Sequence, residues 1–413
     1  MQPWIKTIHV NKLRQLQDFD IEVCNDQCAR HLLLTGPNGA GKTTLLKSMF
    51  ANLERIIADV QLLHLNFEKF LQQSRESERE SARRGDAAAE ARERANVKIW
   101  ETEIGKWWSE LRLDLAGEHQ VAEQFAARKF VVAYYADDRK STFKAVKNPE
   151  KPEIKHSAKE KNGDQFLKFL VDLKVQQALA KNEGKDQDAQ EIQNWFDAFR
   201  DILRQIFDDK NLDVEFNYKD YSFKIRSKGR SFPFTGLSAG YAAALDIVSD
   251  LILKMQDSDR LVRVFDVAGI GLIDEVETHL HMALQKQIMP ILTRVFPKVQ
   301  FIVSTHSPFV LNSIKDATVY DLSRHETLSD LTDYSYEALA EGFFGVETDS
   351  GELKRRLDRM EELIGKMPLT SPEKDELDEF LSDFEKVPNG VAPTQKLRFN
   401  DLKRQYLQRA RAQ

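Results

Sequence analysis

One run of eight residues constrains this chain more than any other: Gly36-Pro37-Asn38-Gly39-Ala40-Gly41-Lys42-Thr43, followed by Thr44. Its spacing is GxxxxGK[ST]. It comes directly after a short apolar run at residues 31–34, which reads as a strand, and it opens a helix at Lys42. Strand, glycine loop and helix N-terminus in that order form a phosphate-binding element. The glycines let backbone N–H groups converge on phosphate oxygens, and the helix N-terminus favours an anion. Lys42 can reach β- and γ-phosphates, and the Thr43 hydroxyl can take one position on Mg²⁺. The expected contacts to a nucleotide are Gly36, Asn38, Gly39, Gly41, Lys42, Thr43 and Thr44.

Around this loop the chain reads as an α/β domain with an insert. Residues 4–23 alternate apolar and polar, which predicts an antiparallel hairpin. From Lys42 onward, Leu53, Ile56, Val60, Leu63, Phe67 and Phe70 keep heptad a/d spacing. The pattern fades over residues 72–94 and resumes at Val97, Trp100, Ile104, Trp107 and Leu111. This predicts an antiparallel helical arm with its tip near Arg84-Gly85-Asp86. About 30 residues would reach roughly 45 Å at 1.5 Å per residue. Two ordinary core-packed helices remain the alternative. Residues 129–135 return to the core as a strand. Residues 140–163, rich in Lys, Pro and Glu, read as a mobile solvated loop or as a basic contact. Beyond them, amphipathic helices at 166–180 and 191–207 precede a strand pair at 214–225. A helix at 234–255, a buried strand within 264–273, a helix at 279–296 and a strand at 301–304 follow. That alternation predicts a mainly parallel sheet.

The C-terminal region changes texture. Leu353, Leu357, Met360, Leu363 and Ile364 form one helical stripe, and Leu377, Phe380, Leu381 and Phe384 a second. Ser371-Pro372-Glu373 has helix-start chemistry between them, and a third helix is expected near residues 395–411. These apolar faces need something to cover them. The expected division is residues 1–50 and 129–325 for the nucleotide-binding body, 51–128 for the arm, and 326–413 for a helical tail with partner or oligomer contacts.

Three later motifs carry chemistry. Leu237-Ser238-Ala239-Gly240-Tyr241 opens an Ala-rich helix, and the bland reading is helix capping by Ser238. Ile270-Gly271-Leu272-Ile273-Asp274-Glu275 is an apolar strand ending in two carboxylates. Asp274 is the expected Mg²⁺ ligand through water, and Glu275 the group that polarises an attacking water. Glu277 and His279-Leu280-His281 follow at once, which argues against a mere capping pair. Phe301-Ile302-Val303-Ser304-Thr305-His306-Ser307-Pro308 delivers His306 to the C-terminal edge of a sheet, where phosphates sit in such folds.

Composition limits the alternatives. The chain has 413 residues, 41% hydrophobic and 31% charged, with a formal net charge of −6. That balance argues against a chain dominated by nucleic-acid binding. The two cysteines, Cys24 and Cys28, lack a second Cys/His pair, so zinc is not expected. Two lone thiols suit a reducing cytosol. No signal-peptide pattern and no apolar run of about 18 residues is present, so a cytoplasmic location without a membrane span is expected.

The order GPNGAGKTT, LSAGY, GLIDEVETHLH, FIVSTHSPF resembles the ABC-type ATPase superfamily in its SMC/RecF/OLD branch. The acidic run ending in HLH, and THSPF, are similar to prokaryotic AAA family ATPases of that branch, many from anti-phage defence modules such as PARIS, Septu and retrons. The resemblance covers roughly residues 1–50 and 129–325. It implies an ABC-type ATPase head: a mainly parallel sheet plus antiparallel N-terminal strands, a short coiled-coil-like arm insert and a small helical tail. It implies ATP with Mg²⁺, and two heads paired head to tail. Ser238 and Gly240 of one copy would then cover the ATP held by Lys42 of the other. Glu275, His306 and Lys42 would act in catalysis, His306 sensing the γ-phosphate. Arg14 matches a position where such heads carry a basic residue near the phosphates, and a plain surface arginine is the alternative. A glutamine is implied after the arm, but residues 131–139 contain none; Asp138 and Arg139 stand nearest. The leading expectation is an ATPase sensor or scaffold controlling a separate effector, a nuclease. The alternatives are an SMC- or RecF-like head acting on DNA through residues 140–163 and Arg83-Arg84, and a transporter ATPase, which the arm and THSPF disfavour.

Overall fold

The computed structural model describes residues 2–24, 29–139, 143–256, 265–345, 351–366, 368–386 and 393–412. Cys28, Val264 and residues 140–142 of the lysine-rich segment lie outside the described residues. The chain divides into two compact units, Met1–Tyr336 and Glu337–Gln413.

The first unit opens with β1 (Trp4–Leu13), β2 (Leu16–Glu22), β3 (His31–Thr35) and α1 (Lys42–Ala58). Next come α2 (Phe67–Arg84), α3 (Ala87–Trp108), β4 (Leu111–Ala116), α4 (Glu118–Ala126) and β5 (Phe130–Tyr135). Two helices, α5 (Phe166–Asn182) and α6 (Asp186–Ile206), lead to β6 (Asp213–Asn217), β7 (Ser222–Ser227) and β8 (Arg230–Pro233). Then follow α7 (Ala239–Lys254), β9 (Ala268–Ile273), α8 (Met282–Val295) and β10 (Val299–Ser304). The short α9 (Pro308–Leu311), β11 (Ala317–Asp321) and β12 (Glu326–Ser329) complete it. Helix α10 (Tyr336–Phe344) starts at the boundary between the units.

Among the described residues the central sheet has the order β12-β11-β3-β10-β9-β5. Its pairings are parallel except for edge strand β12. Strands covered on both faces read as unbroken apolar runs, as Leu32, Leu33 and Leu34 do. A second, antiparallel sheet has the order β2-β1-β4, and a third has β6-β7-β8. Helix α1 contributes Leu45, Leu46, Met49, Leu53 and Ile56 to one core. That core also takes in Ile8, Val10 and Leu113 of the antiparallel sheet and Leu34, Ile270 and Ile302 of the central sheet. The helix that follows the glycine loop is thereby wedged between two sheets. The α/β architecture with a mainly parallel sheet and antiparallel N-terminal strands is as the sequence predicts.

The insert differs in detail. The first helix ends at Ala58 instead of running on into the arm, and Val60 and Leu63 are exposed, not at a seam. Leu53 and Ile56 belong to the core already described. The paired helices are α2 and α3, joined at Gly85, whose φ of 73° is left-handed. Asp86 caps α3 by accepting from Ala89 N–H at 3.0 Å. Arg75–Glu101 at 2.7 Å and Arg94–Glu78 at 2.9 Å run between the two helices. Phe67 and Phe70 pack on Trp100 near their base. Leu111 starts a strand rather than ending the arm. Leu111, Leu113 and Leu115 alternate with Arg112 and Asp114, and this period of two pairs β4 with β1.

The boundary expected between residues 325 and 326 falls later. Strand β12 still pairs with β11, and the units divide after Tyr336. In the second unit, α11 (Gly351–Gly365), α12 (Ser371–Lys386) and α13 (Pro393–Ala412) form a core of their own. Leu357, Met360, Leu363 and Ile364 meet Leu377, Phe384, Phe399 and Leu402. The stripes therefore cover one another, which corrects the expectation that they await an outside partner. The lysine-rich segment is also better anchored than a mobile loop. Phe143, Ala158 and Asn162 are buried, and Lys254 of α7 donates to the carbonyl of Ser157 and, at 2.6 Å, to that of Glu160. Among the described residues no helix is long and apolar enough to cross a membrane.

Candidate functional site

Strands β3, β10 and β9 are neighbours, and the loops at their C-terminal ends bring three motifs to one edge of the sheet. That edge is where open parallel sheets bind ligands. After β3, Gly36, Gly39 and Gly41 have φ of 130°, 82° and 101°, values that side chains beyond glycine rarely take. The β1–β2 turn packs on this loop. Gln15 Nε2 donates to the Gly39 carbonyl at 3.0 Å, and a Cβ on Gly41 would meet Leu16 at 3.0 Å. Arg14 lies in that turn, exposed, with φ 55°. Its side chain makes no hydrogen bond or ion pair among the described residues.

Lys42 curls back into the loop and donates to the carbonyls of Gly36 at 2.9 Å and Pro37 at 3.1 Å. Burial pulls its pKa down, against the opposing charges of Glu275, Glu277, Asp274 and Asp321. Thr43 and Thr44 sit half-buried in the first turn of α1, and Asn38 is exposed at the loop tip.

Asp274, at the end of β9, is fully buried. Its Oδ1 accepts from Ser304 Oγ at 2.6 Å, while Oδ2 has no hydrogen-bond partner among the described residues. Buried carboxylate oxygens without partners are costly. An oxygen-only set of Asp274 and the Thr43 hydroxyl suits Mg²⁺, which takes few protein ligands and completes its shell with water and phosphate. Among the described residues no cluster of three or more His, Cys, Asp or Glu could hold a metal by itself.

Glu275 follows with φ 44°, a left-handed conformation for a non-glycine residue. Its N–H donates to Ser304 Oγ at 2.8 Å, and its carbonyl accepts from Arg139 Nη2 at 2.7 Å. Its Oε2 accepts from Thr278 Oγ1 at 3.2 Å. Glu277 is turned the other way. Its carboxylate accepts from Thr305 Oγ1 at 2.8 Å and from the N–H of His306. Burial raises the Glu277 pKa. The His306 imidazole pKa is pushed down by burial and by the Lys42 charge, against Glu275 and Asp274. Lys42, Asp274, Glu275 and His306 thus share one electrostatic neighbourhood.

The fourth motif stands apart. Ser238 precedes α7, is exposed, and makes no side-chain capping bond, so the capping reading fails. No hydrogen bond or ion pair links it to the phosphate loop among the described residues. Gly240 is buried against the next motif: a Cβ there would lie 2.8 Å from the His279 carbonyl. Tyr241 stacks on Phe207 at 4.2 Å. Ser238, Tyr241, Lys228 and Arg230 border an open groove of about 480 Å³.

Sequence reasoning missed Gln15, Ser304, Thr305 and Asp321, and left Arg139 without a role. Ser304 and Thr305 carried a signal, as polar residues ending an apolar strand. Asp321 closes β11 and faces Gly36, a contact that only the strand order creates.

Residues 32–312 match the family model described as "AAA domain, putative AbiEii toxin, Type IV TA system". The chain belongs to this family. The match takes in all four motifs. Among relatives, the "Septu protein PtuA" of Bacillus mycoides (strain KBAB4) is 32% identical over 163 residues, 37% of this chain and 23% of that protein. The "Retron Ec83 probable ATPase" of Escherichia coli is 36% identical over 85 residues, 20% of this chain and 16% of that protein. The "Retron Vc95 probable ATPase" of Vibrio cholerae serotype O1 biovar El Tor is 26% identical over 184 residues, 43% and 34% respectively. The chain therefore spans between 16% and 34% of the length of these curated relatives. Among solved structures, the SMC head domain from Thermotoga maritima aligns with 78% of this chain and 94% of that one, at 12% identity and a TM-score of 0.35. An SMC head bound to the C-terminal winged-helix domain of ScpA gives 10% identity, 77% and 94% coverage, and a TM-score of 0.35.

Proposed function

We propose that this chain is an ATP-hydrolysing subunit of ABC/SMC type, working in the cytoplasm in an anti-phage defence assembly. One observation carries the reading: Lys42, the unpartnered Oδ2 of Asp274, Glu275 and His306 converge at the ends of adjacent parallel strands. Family membership and relatives named as Septu and retron ATPases support it.

In this reading the N–H groups of residues 38–44 and the Lys42 ammonium bind the β- and γ-phosphates of ATP. Thr43 and Asp274 would hold Mg²⁺, which when bound offsets negative charge on the phosphate oxygens. Glu275 accepts the proton of the attacking water. His306 contacts the γ-phosphate as a hydrogen-bond donor. Exposed Ser238 with buried Gly240 leaves the signature surface free to meet the ATP of a second copy, which supports head-to-tail pairing. Nucleotide and assembly are then thermodynamically linked. The dimer controls a separate effector, a nuclease. Direct action on DNA has less support. Within residues 140–163, Lys144, Lys155 and Lys159 each pair with an acidic side chain.

Glu275→Gln tests the reading. The variant should keep ATP binding, lose at least about 100-fold in hydrolysis rate, and accumulate as an ATP-held dimer in light scattering. Hydrolysis at the parental rate would remove Glu275 from its role.

A further inference from the structure

We infer that Arg139 is a positioning residue for hydrolysis: it clamps the backbone of Asp274 and Glu275 so that the Glu275 carboxylate is aimed at the attacking water. The inference rests on the proposed role of Glu275 and adds a residue to it.

Arg139 is 2% exposed, at the end of the segment that follows β5. Its Nη1 donates to the Asp274 carbonyl at 2.7 Å and to Ala136 O at 3.2 Å, and its Nη2 donates to the Glu275 carbonyl at 2.7 Å. Among the described residues none of these bonds goes to a carboxylate. A buried guanidinium normally takes a carboxylate partner in a two-pronged pair. Here the two prongs are spent on two consecutive carbonyls, those of the expected metal ligand and the expected base.

Why those carbonyls need holding follows from the backbone. Glu275 has φ 44°, a left-handed backbone that is strained for a residue with a Cβ. Such a conformation persists only when its surroundings fix it, and it concentrates at functional sites. Both sides of Glu275 are fixed. Ser304 Oγ holds its N–H at 2.8 Å and Arg139 holds its carbonyl. Tyr135 O, on the same strand-to-loop segment as Arg139, takes the Asp274 N–H at 2.8 Å. The end of β5 and the segment after it therefore grip the end of β9 at three points. A guanidinium can bridge two successive carbonyls because its donors are fixed in one plane. An ammonium can hold one with similar strength but cannot span both rigidly.

The test uses the full chain with Arg139→Lys, Arg139→Gln, Glu275→Gln and the double variant Arg139→Gln/Glu275→Gln. Hydrolysis is followed with varied ATP, and binding by fluorescence of a labelled ATP analogue with Mg²⁺. Arg139→Gln is expected to lower kcat roughly 100-fold, the cost of misplacing a catalytic group by about 1 Å. KM and analogue affinity should stay within about threefold, because ground-state binding is untouched. Arg139→Lys should recover part of the loss. The double variant should be no slower than Glu275→Gln alone, since both changes disable one unit. Parental kcat in Arg139→Gln overturns the inference. So does loss of ATP binding or folding in both Arg139 variants, which would make Arg139 a scaffold residue, and so does a further loss in the double variant. If instead Glu275→Gln alone is unimpaired, the proposed base is wrong, and that failure is separate.

Discussion

At the residue scale, Ser238 and Gly240 are close in sequence and opposite in what they do for the isolated chain. Ser238 is exposed and makes no capping bond. Ser238→Ala should therefore change stability by no more than about 0.5 kcal/mol, although a serine before a helix usually contributes more. Gly240 presses on the backbone of His279, and an added Cβ at 2.8 Å from a carbonyl has no flexible neighbour to displace. Gly240→Ala should destabilise by about 1–3 kcal/mol through overpacking. Chemical denaturation of both variants checks this. Equal, small effects would show that the glycine contact is slack. The practical consequence is that Ser238, and not Gly240, is the clean position for probing a contact with a second copy.

At the element scale, the root of the α2–α3 pair is tied to the helix that carries Lys42. Asn52 and Arg55 of α1 donate to the carbonyls of Trp107 and Lys106 at 3.2 and 2.5 Å. His64, 1% exposed, stacks on Trp107 at 4.8 Å, with Nδ1 facing Asp59 at 2.6 Å and Nε2 facing Glu118 at 3.1 Å. Burial alone would lower its pKa, but the bonds to Glu118 and Asp59 and their charges outweigh it, and the value is raised. Both ring nitrogens face carboxylates, an arrangement that favours the doubly protonated ring. A pKa raised on folding contributes stability that is complete below about 6.5, the unfolded value. That contribution is lost as pH rises through the folded value. Denaturation from acid to alkaline pH should show parental stability falling over that window relative to His64→Gln. A difference between the two that does not vary with pH would contradict a charged His64.

The same region marks how far the sequence could be read. The glycine loop, the two acidic strand-end residues and the tip at Gly85 were legible, because short-range sterics and periodicity encode them. Leu111 was misread because one leucine satisfies both a heptad and a two-residue period; only Leu113 and Leu115 beyond it decide. The break at Val60 was illegible since nothing local stops the heptad there, and the cause is that α1 is held in the core between two sheets. Arg139 could not be understood from the chain, because the carbonyls it holds are brought to it by the pairing of β5 with β9.

At the scale of the whole molecule, the proposed function divides each ATP site between two copies of the chain. In that proposal Lys42, Asp274, Glu275 and His306 supply one half, and Ser238 with Gly240 of the other copy supply the second. The C-terminal unit packs its stripes on one another, while Leu397 and Leu407 of α13 stay exposed. The proposed second copy is argued from the site and not from these helices. The most direct measurement mixes two variants, Lys42→Ala and Ser238→Arg, and follows ATP hydrolysis. Each should be inactive alone. In a head-to-tail pair formed from one copy of each, one site regains an intact Lys42 and an intact Ser238. Statistical mixing should restore up to about a quarter of the parental rate, given closed two-fold pairing. A mixture that stays as inactive as its components, or a Ser238→Arg chain that hydrolyses ATP at the parental rate alone, would contradict a site shared between two copies.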